Sequence, residues 1–159
     1  MKIERTPEAD ILTDIIIAVF RVNGRLLEKG DQLVEPLNLT SARWQVLGAV
    51  AVAEKPLSSP QVAEAMGITR QGAQKQLNKL AKEGFLERRP NPRHARSPLY
   101  TLTEPGKHIF GEAMALQKIW ANGVAAGLSS EDLKNVLQIL NAIYERLNSP
   151  VPTTGPDHY

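Results

Sequence analysis

The stretch from Leu57 to Pro92, LSSPQVAEAMGITRQGAQKQLNKLAKEGFLERRPNP, contains the start and stop signals of two successive helices. Ser58 is placed to cap the first helix, and Gln61, three residues later, completes a capping box. Gly67 then ends this helix, because glycine readily adopts the left-handed conformation that follows a helix. Only a short turn precedes the second helix, so this pattern predicts a helix-turn-helix unit.

The second helix has one apolar face and one polar face. Thr69 is its predicted N-cap and Gly84 its C-terminal stop. Its apolar residues lie at helical spacing, at Ala73, Leu77, Leu80 and Ala81. The other face is left for solvent or a ligand and carries Arg70, Gln71, Gln74, Lys75 and Asn78.

After Gly84 the periodicity changes from helix to strand. FLERR and PLYTL are predicted as two short strands, joined by the loop RRPNPRHARSP from Arg88 to Pro98. The loop contains four arginines, one histidine and three prolines, and no acidic residue. Two capped helices followed by a strand pair with a cationic loop predict a winged helix-turn-helix in a mainly α protein.

Side chains at the start of the second helix suit the reading of DNA bases. Glutamine and arginine pair bidentately with adenine and guanine in the major groove. An interface on this helix is therefore predicted from Thr69, Arg70, Gln71, Gln74, Lys75 and Asn78.

The loop between the strands is predicted to be the wing. Its prolines limit its conformations, so less entropy is lost when it orders on a duplex. Cations can contact phosphates there, and one at the tip can enter a minor groove. The predicted wing contacts are Arg88, Arg89, Arg93, His94 and Arg96. A merely solvated loop is the alternative, and the position between two strands favours the wing.

The charge distribution supports a polyanionic partner. Between Lys55 and Lys107 there are ten Lys or Arg and four Glu, a formal charge of +6 within a chain whose total is only +2. A basic module in a mildly acidic chain suits binding of double-stranded DNA. A winged helix used as a protein-interaction module is the alternative function, but it would not need this concentration of charge.

Helical patterns flank the basic module. Residues 8–29 show a broad apolar stripe, typical of a helix buried on more than one side, and Gly30 is predicted to end this helix. Another helix begins after Thr40 and stops by Pro56. Two more helices are predicted from Glu104 to about Gly127 and from Ser129 onward. The proline-rich residues 149–159 are predicted to form a flexible tail.

This order of elements resembles the MarR family of bacterial transcriptional regulators over roughly residues 8–148. The resemblance implies an intertwined dimerisation region from residues 8–36 and 104–148, and a DNA-binding domain at 37–103 with its wing at 85–102. It further implies a homodimer on a pseudo-palindromic operator, most simply a repressor, with a possible small-molecule effector. Wings of the family commonly carry Asp-x-Arg at the tip, whereas this chain has His94-Ala95-Arg96.

Several other residues allow a functional and a structural interpretation. Trp44, Arg21 and Arg43 could border an effector site, although Trp44 fits a core position and the arginines fit solvated helix faces. His108 and Glu112 lie one helical turn apart, but two ligands are too few to predict a metal site.

The remaining features argue against other classes of protein. With no cysteine, disulfides and thiolate metal sites are excluded. Motifs of nucleophile elbows, phosphate-binding loops, dinucleotide folds and zinc proteases are absent from the sequence, so no enzyme activity, catalytic residue or cofactor is predicted. The polar amino terminus and the short apolar runs predict a cytoplasmic protein without membrane contact.

Overall fold

The computed structural model describes residues 4–152 and is mainly helical. Its helices are α1 (Pro7–Val34), α2 (Ser41–Val52), α3 (Ser59–Met66), α4 (Arg70–Lys82), α5 (Glu104–Ala125) and α6 (Ser130–Arg146). Its strands are β1 (Leu57–Ser58), β2 (Leu86–Arg89) and β3 (Leu99–Leu102), and a 3-10 segment at Glu35–Leu37 follows α1. The mainly α winged-helix fold is therefore confirmed. Most of the predicted tail, residues 153–159, lies outside the described residues.

The chain divides into two compact units, the first ending at Ile119 and the second beginning at Trp120. The first contains α1 to α4, the strands and most of α5, and the second contains the end of α5 and all of α6. In the part of the chain that the structure describes, no helix combines the length and apolarity needed to cross a bilayer.

The predicted helix caps of the central module are confirmed. The Thr69 hydroxyl accepts a hydrogen bond from the Gly72 N–H at 3.0 Å, and the Ser58 N–H donates to Gln61 Oε1 at 2.9 Å. Gly67 ends α3 at φ +62°, and Gly84 follows α4 at φ +83°. Both glycines occupy the left-handed region that other residues rarely adopt. Local signals therefore fix where the two helices begin and end.

The predicted end of the first helix at Gly30 is wrong, because α1 continues to Val34. Gly30 is buried where α2 begins, and a Cβ at this position would overlap the Ser41 hydroxyl. That hydroxyl donates to the Leu27 carbonyl at 2.7 Å, and the Ser41 N–H donates to Asp31 Oδ1 at 2.7 Å. The glycine therefore serves a close contact between two helices, which the sequence of α1 alone does not reveal.

The sheet has the strand order β1-β3-β2, and both pairs are antiparallel. β2 and β3 correspond to the two predicted strands, with Leu86 opposite Leu102 and Arg88 opposite Tyr100. β1 was not predicted, because two residues are too short to show alternation. By pairing Leu57 with Tyr100, β1 joins the start of α3 to the wing.

The core lies mainly between α2, α3, α4 and the sheet, with contributions from the end of α1 and from α5. Its largest fully buried side chains are Val34, Val46, Leu47, Val62, Leu77, Leu80 and Tyr100. Leu77 and Leu80 come from the predicted apolar face of α4. Their burial turns the opposite face of α4 outward, so the core sets the orientation of the helix that is predicted to bind DNA.

The start of α5 is joined to the turn between α4 and β2. The Thr103 hydroxyl donates to the Gly84 carbonyl at 2.6 Å and accepts from the Gly106 N–H at 3.1 Å. Gly106 is buried, and a Cβ there would overlap the carbonyl oxygen of Phe85. Backbone cannot move aside as a flexible side chain can, so this contact requires glycine.

We expect Gly106→Ala to lower the free energy of unfolding by about 1–3 kcal/mol, because the added methyl group overpacks this junction. Urea unfolding at a fixed protein concentration measures the change. Gly111→Ala in the same helix is the matched control, since nothing lies within 4 Å of its added Cβ. Replacing an open helical glycine should stabilise the protein by roughly 0.5–1 kcal/mol. Equal effects of the two substitutions would contradict the junction.

Candidate nucleic-acid interface

The polar face of α4 is accessible along its first three turns. Thr69, Arg70, Gln71, Lys75 and Asn78 are exposed, whereas Gln74 is half-buried. α4 thus presents a guanidinium and an amide at its amino end, where the side chains of a recognition helix reach base edges.

A hydrogen-bonded cluster connects α4 to the strands. Gln74 Nε2 donates to Asn78 Oδ1 at 2.8 Å and to the Tyr100 hydroxyl at 3.0 Å. Asn78 Oδ1 also accepts from Arg88 Nη2 at 3.1 Å. Two predicted helix contacts and one predicted wing contact are therefore brought together around Tyr100, a residue that the sequence analysis did not select.

Asn91 holds the wing loop together through hydrogen bonds to its backbone. Its side-chain nitrogen donates to the Ser97 carbonyl at 2.8 Å, and its side-chain oxygen accepts from the Arg93 N–H at 3.1 Å. Its carbonyl accepts from the His94 N–H at 3.3 Å, and the His94 carbonyl accepts from the Ser97 N–H at 3.0 Å. The loop is thus held by an asparagine turn as well as by its prolines. An asparagine in this role is a common turn signal, although Asn91 was not among the predicted site residues.

The wing and the starts of α3 and α4 surround an open groove of about 960 Å³. Its cationic lining comes from Lys55, Arg70, Arg93 and Arg96, with His94 beside them. None of the described residues that line it is acidic. Because opposite charge is missing from the lining, the groove should attract an anionic chain such as a phosphodiester backbone. Lys55 also lines the groove, although it was not among the predicted site residues.

The remaining wing arginine, Arg89, contacts its own strand. Its Nη2 atom lies 3.5 Å from Glu87 Oε2, and both side chains are more than half exposed. Such a pair contributes little to stability and leaves the guanidinium accessible.

The chain is similar to known proteins in sequence and in fold. A sequence model of the MarR family matches residues 37–97, the segment that contains α2, α3, α4 and the start of the wing. The uncharacterized protein Rv2011c of Mycobacterium tuberculosis is 38% identical over 102 residues, which are 64% of this chain and 70% of that relative. The chain belongs to the MarR family.

Other similarities cover more of the chain. The transcriptional activatory protein BadR of Rhodopseudomonas palustris is 25% identical over 142 residues, 87% of this chain and 81% of BadR. The crystal structure of CouR from Rhodococcus jostii bound to p-coumaroyl-CoA matches with a TM-score of 0.74 and 21% identity, over 87% of this chain and 96% of CouR. This MarR-family protein is therefore a DNA-binding transcription regulator, as its named homologues are transcription regulators.

Two of the three candidate effector residues of this MarR-family chain make contacts within the protein itself. Arg43 is buried, and its Nη1 atom lies 2.8 Å from Glu83 Oε1. The solvated position expected for Arg43 is wrong, because its guanidinium links α2 to the end of α4. Trp44 is half-buried and packs against the core, whereas Arg21 is exposed on α1. Arg21 keeps the exposed position expected for it, and its contact with a ligand stays a prediction.

His108 and Glu112, which lie one turn apart on α5, are close enough to contact each other. His108 Nε2 lies 3.8 Å from Glu112 Oε1, and both side chains are at least half exposed. Among the described residues there is no group of three or more side chains placed to hold a metal ion.

We expect Asn91→Ala to weaken DNA binding roughly two- to tenfold, because the wing loses the two side-chain bonds that order it before it meets DNA. Fluorescence anisotropy with a labelled duplex at constant salt measures the change. Ser97→Ala is the control, since Ser97 contributes a backbone carbonyl that alanine retains. An unchanged affinity of the Asn91 variant would show that the turn does not prepare the wing.

Proposed function

We propose that this chain acts as a homodimer that represses transcription by binding a pseudo-palindromic DNA operator. The observation that carries the proposal is the cationic groove between the wing and the start of α4, next to the exposed polar face of that helix. One surface therefore offers side chains for base edges and cations for phosphates, the two kinds of contact that a specific DNA-binding protein needs.

In the proposed complex, α4 enters the major groove. Arg70 and Gln71 stand at its exposed amino end, where bidentate pairing with guanine and adenine is possible. The wing lies beside the adjacent backbone and minor groove, with Arg93 and Arg96 as cations. Two subunits would contact half-sites about one helical turn, or a multiple of it, apart.

Dimerisation is supported by large apolar side chains that are exposed on the described helices. On α1, nine large apolar residues are exposed, including Phe20 at 71%. Considered by itself, α6 has no fully buried residue among those described, although Leu137 and Tyr144 lie on a helix with a clear apolar stripe. Apolar surface of this extent marks interaction sites. We assign residues 8–36 and 104–148 to dimerisation and 37–103 to DNA binding.

Control by a small molecule and the direction of regulation belong to the same proposal. CouR, whose fold this chain shares, is bound to p-coumaroyl-CoA in its crystal structure, which supports an effector here. Similarity to the activator BadR makes activation the second candidate. Transcription in vitro from a promoter that contains the bound site separates them, since repression lowers the yield of transcript. A chromosomal operator would place the protein in the cytoplasm.

Selection of bound fragments from random duplexes tests the proposed function. We expect a pseudo-palindromic site whose affinity falls steeply with salt, because phosphate contacts release counterions. Arg96→Ala should weaken all sequences and lower the salt slope by about one, whereas Gln71→Ala should cost roughly 1–3 kcal/mol at one base position. A protein that selects no sequence and does not bind duplex DNA at low salt would instead be a protein-interaction module.

We expect sedimentation equilibrium to give twice the chain mass of 17.5 kDa. Phe20→Glu should raise the dimer dissociation constant roughly tenfold or more, because a charge would be buried in the proposed apolar interface. Val52→Glu is the matched control, since Val52 is 75% exposed on α2, outside the proposed interface. A monomeric wild-type protein, or equal effects of both substitutions, would rule out this interface.

A further inference from the structure

Tyr100 occupies the middle strand of the sheet and is fully buried, with its hydroxyl group directed at α4. The hydroxyl accepts a hydrogen bond from Gln74 Nε2 at 3.0 Å. Opposite it on β2, Arg88 holds its guanidinium 5.8 Å from the centre of the Tyr100 ring. A cation at this distance is attracted by the face of the ring. Tyr100 therefore contacts both the helix and the base of the wing.

Asn78 completes a closed arrangement of four side chains. Its Oδ1 atom accepts from Gln74 Nε2 at 2.8 Å and from Arg88 Nη2 at 3.1 Å. Arg88 is thus fixed at its guanidinium by the oxygen of Asn78 and by the ring of Tyr100. The exposed arginine is held in one place although its side chain is long and flexible.

The same bonds restrict Gln74. A glutamine amide has two N–H hydrogens, and here one goes to Asn78 and the other to Tyr100. The bidentate contact with adenine requires one donor and one acceptor from the amide. Gln74 has no donor left for a base while the four side chains remain bonded. The base-reading role predicted for Gln74 from the sequence would therefore require this cluster to open.

We propose that Arg88 is a phosphate contact of the DNA complex and that Tyr100, Gln74 and Asn78 are its positioning residues. This inference rests on the proposed DNA-binding function. An arginine that is already ordered loses less conformational entropy when it binds, so its phosphate contact becomes stronger. The four side chains also join α4 to β2, so that the recognition helix and the wing meet the duplex in a fixed relation.

A double-mutant cycle on the selected operator tests the proposal, with affinity and its salt dependence as the measured quantities. Arg88→Ala should lower the affinity and reduce the salt slope by about one. Tyr100→Phe keeps the ring but removes the acceptor for Gln74, and should lower affinity roughly two- to tenfold. In the Arg88→Ala background the same substitution should have no further effect, because the residue it positions is gone.

Two further variants separate positioning from other roles. Arg89→Ala is the matched control, because Arg89 is the next residue of β2 and points to the other face of the strand. In the double variant, the fold losses of affinity caused by Arg89→Ala and by Tyr100→Phe should multiply. Asn78→Ala lies on the exposed surface of α4, so it tests the cluster without disturbing the core. Its loss of affinity should be smaller in the Arg88→Ala background than in the wild-type protein.

The outcomes are distinct. If the losses of Tyr100→Phe and Arg88→Ala multiply, or if Asn78→Ala weakens binding as much without Arg88 as with it, the positioning role is wrong. Gln74→Ala should weaken all sequences equally, and a loss confined to one base position would restore its direct role in reading bases. If the wild-type protein selects no operator, the proposed function fails and this inference falls with it.

Discussion

The interface depends on the burial of one face of α4. Ala73, Leu77 and Leu80 are fully buried, and burying side chains of this size contributes more to stability than any surface contact of the same helix. A helix anchored along one face cannot rotate about its axis. Arg70 and Gln71 therefore point outward, because they lie on the face of α4 opposite these buried residues. The chemistry of the surface follows from the packing beneath it.

Electrostatics then sets what this surface can bind. The cations around the groove come from the segment before β1, from α4 and from the wing, and none of the described residues lining the groove neutralises them. Like charges held close together repel one another, so this arrangement costs stability unless a polyanion binds there. The wing tolerates this repulsion because Asn91 ties the two sides of its loop together through hydrogen bonds to backbone groups.

Elsewhere the chain uses acidic groups to neutralise charge. Glu83, at the end of α4, pairs with the buried Arg43 of α2 at 2.8 Å. A buried arginine without this partner would be costly, so the pair holds the carboxyl end of α4 in register with α2. The amino end of α4 is fixed by a different means, the Thr69 cap and the bonds around Tyr100. The buried charge at the carboxyl end of α4 is thus neutralised by a partner, whereas the groove cations at its amino end have no acidic partner among the described lining residues.

The sequence by itself determined the helix limits at Thr69, Gly67 and Gly84, the two strands of the wing, and the polar residues of α4, because caps, glycines and periodicity act between residues close in the chain. It could not show that Gly30 faces Ser41, that Arg43 meets Glu83, or that Gln74 and Arg88 converge on Tyr100. Each of these contacts joins residues between ten and forty positions apart, and the sequence around one partner does not indicate the other. Only the packing of helices against the sheet brings such pairs together, so tertiary structure alone decided which polar side chains remain free for DNA and which are held by the protein.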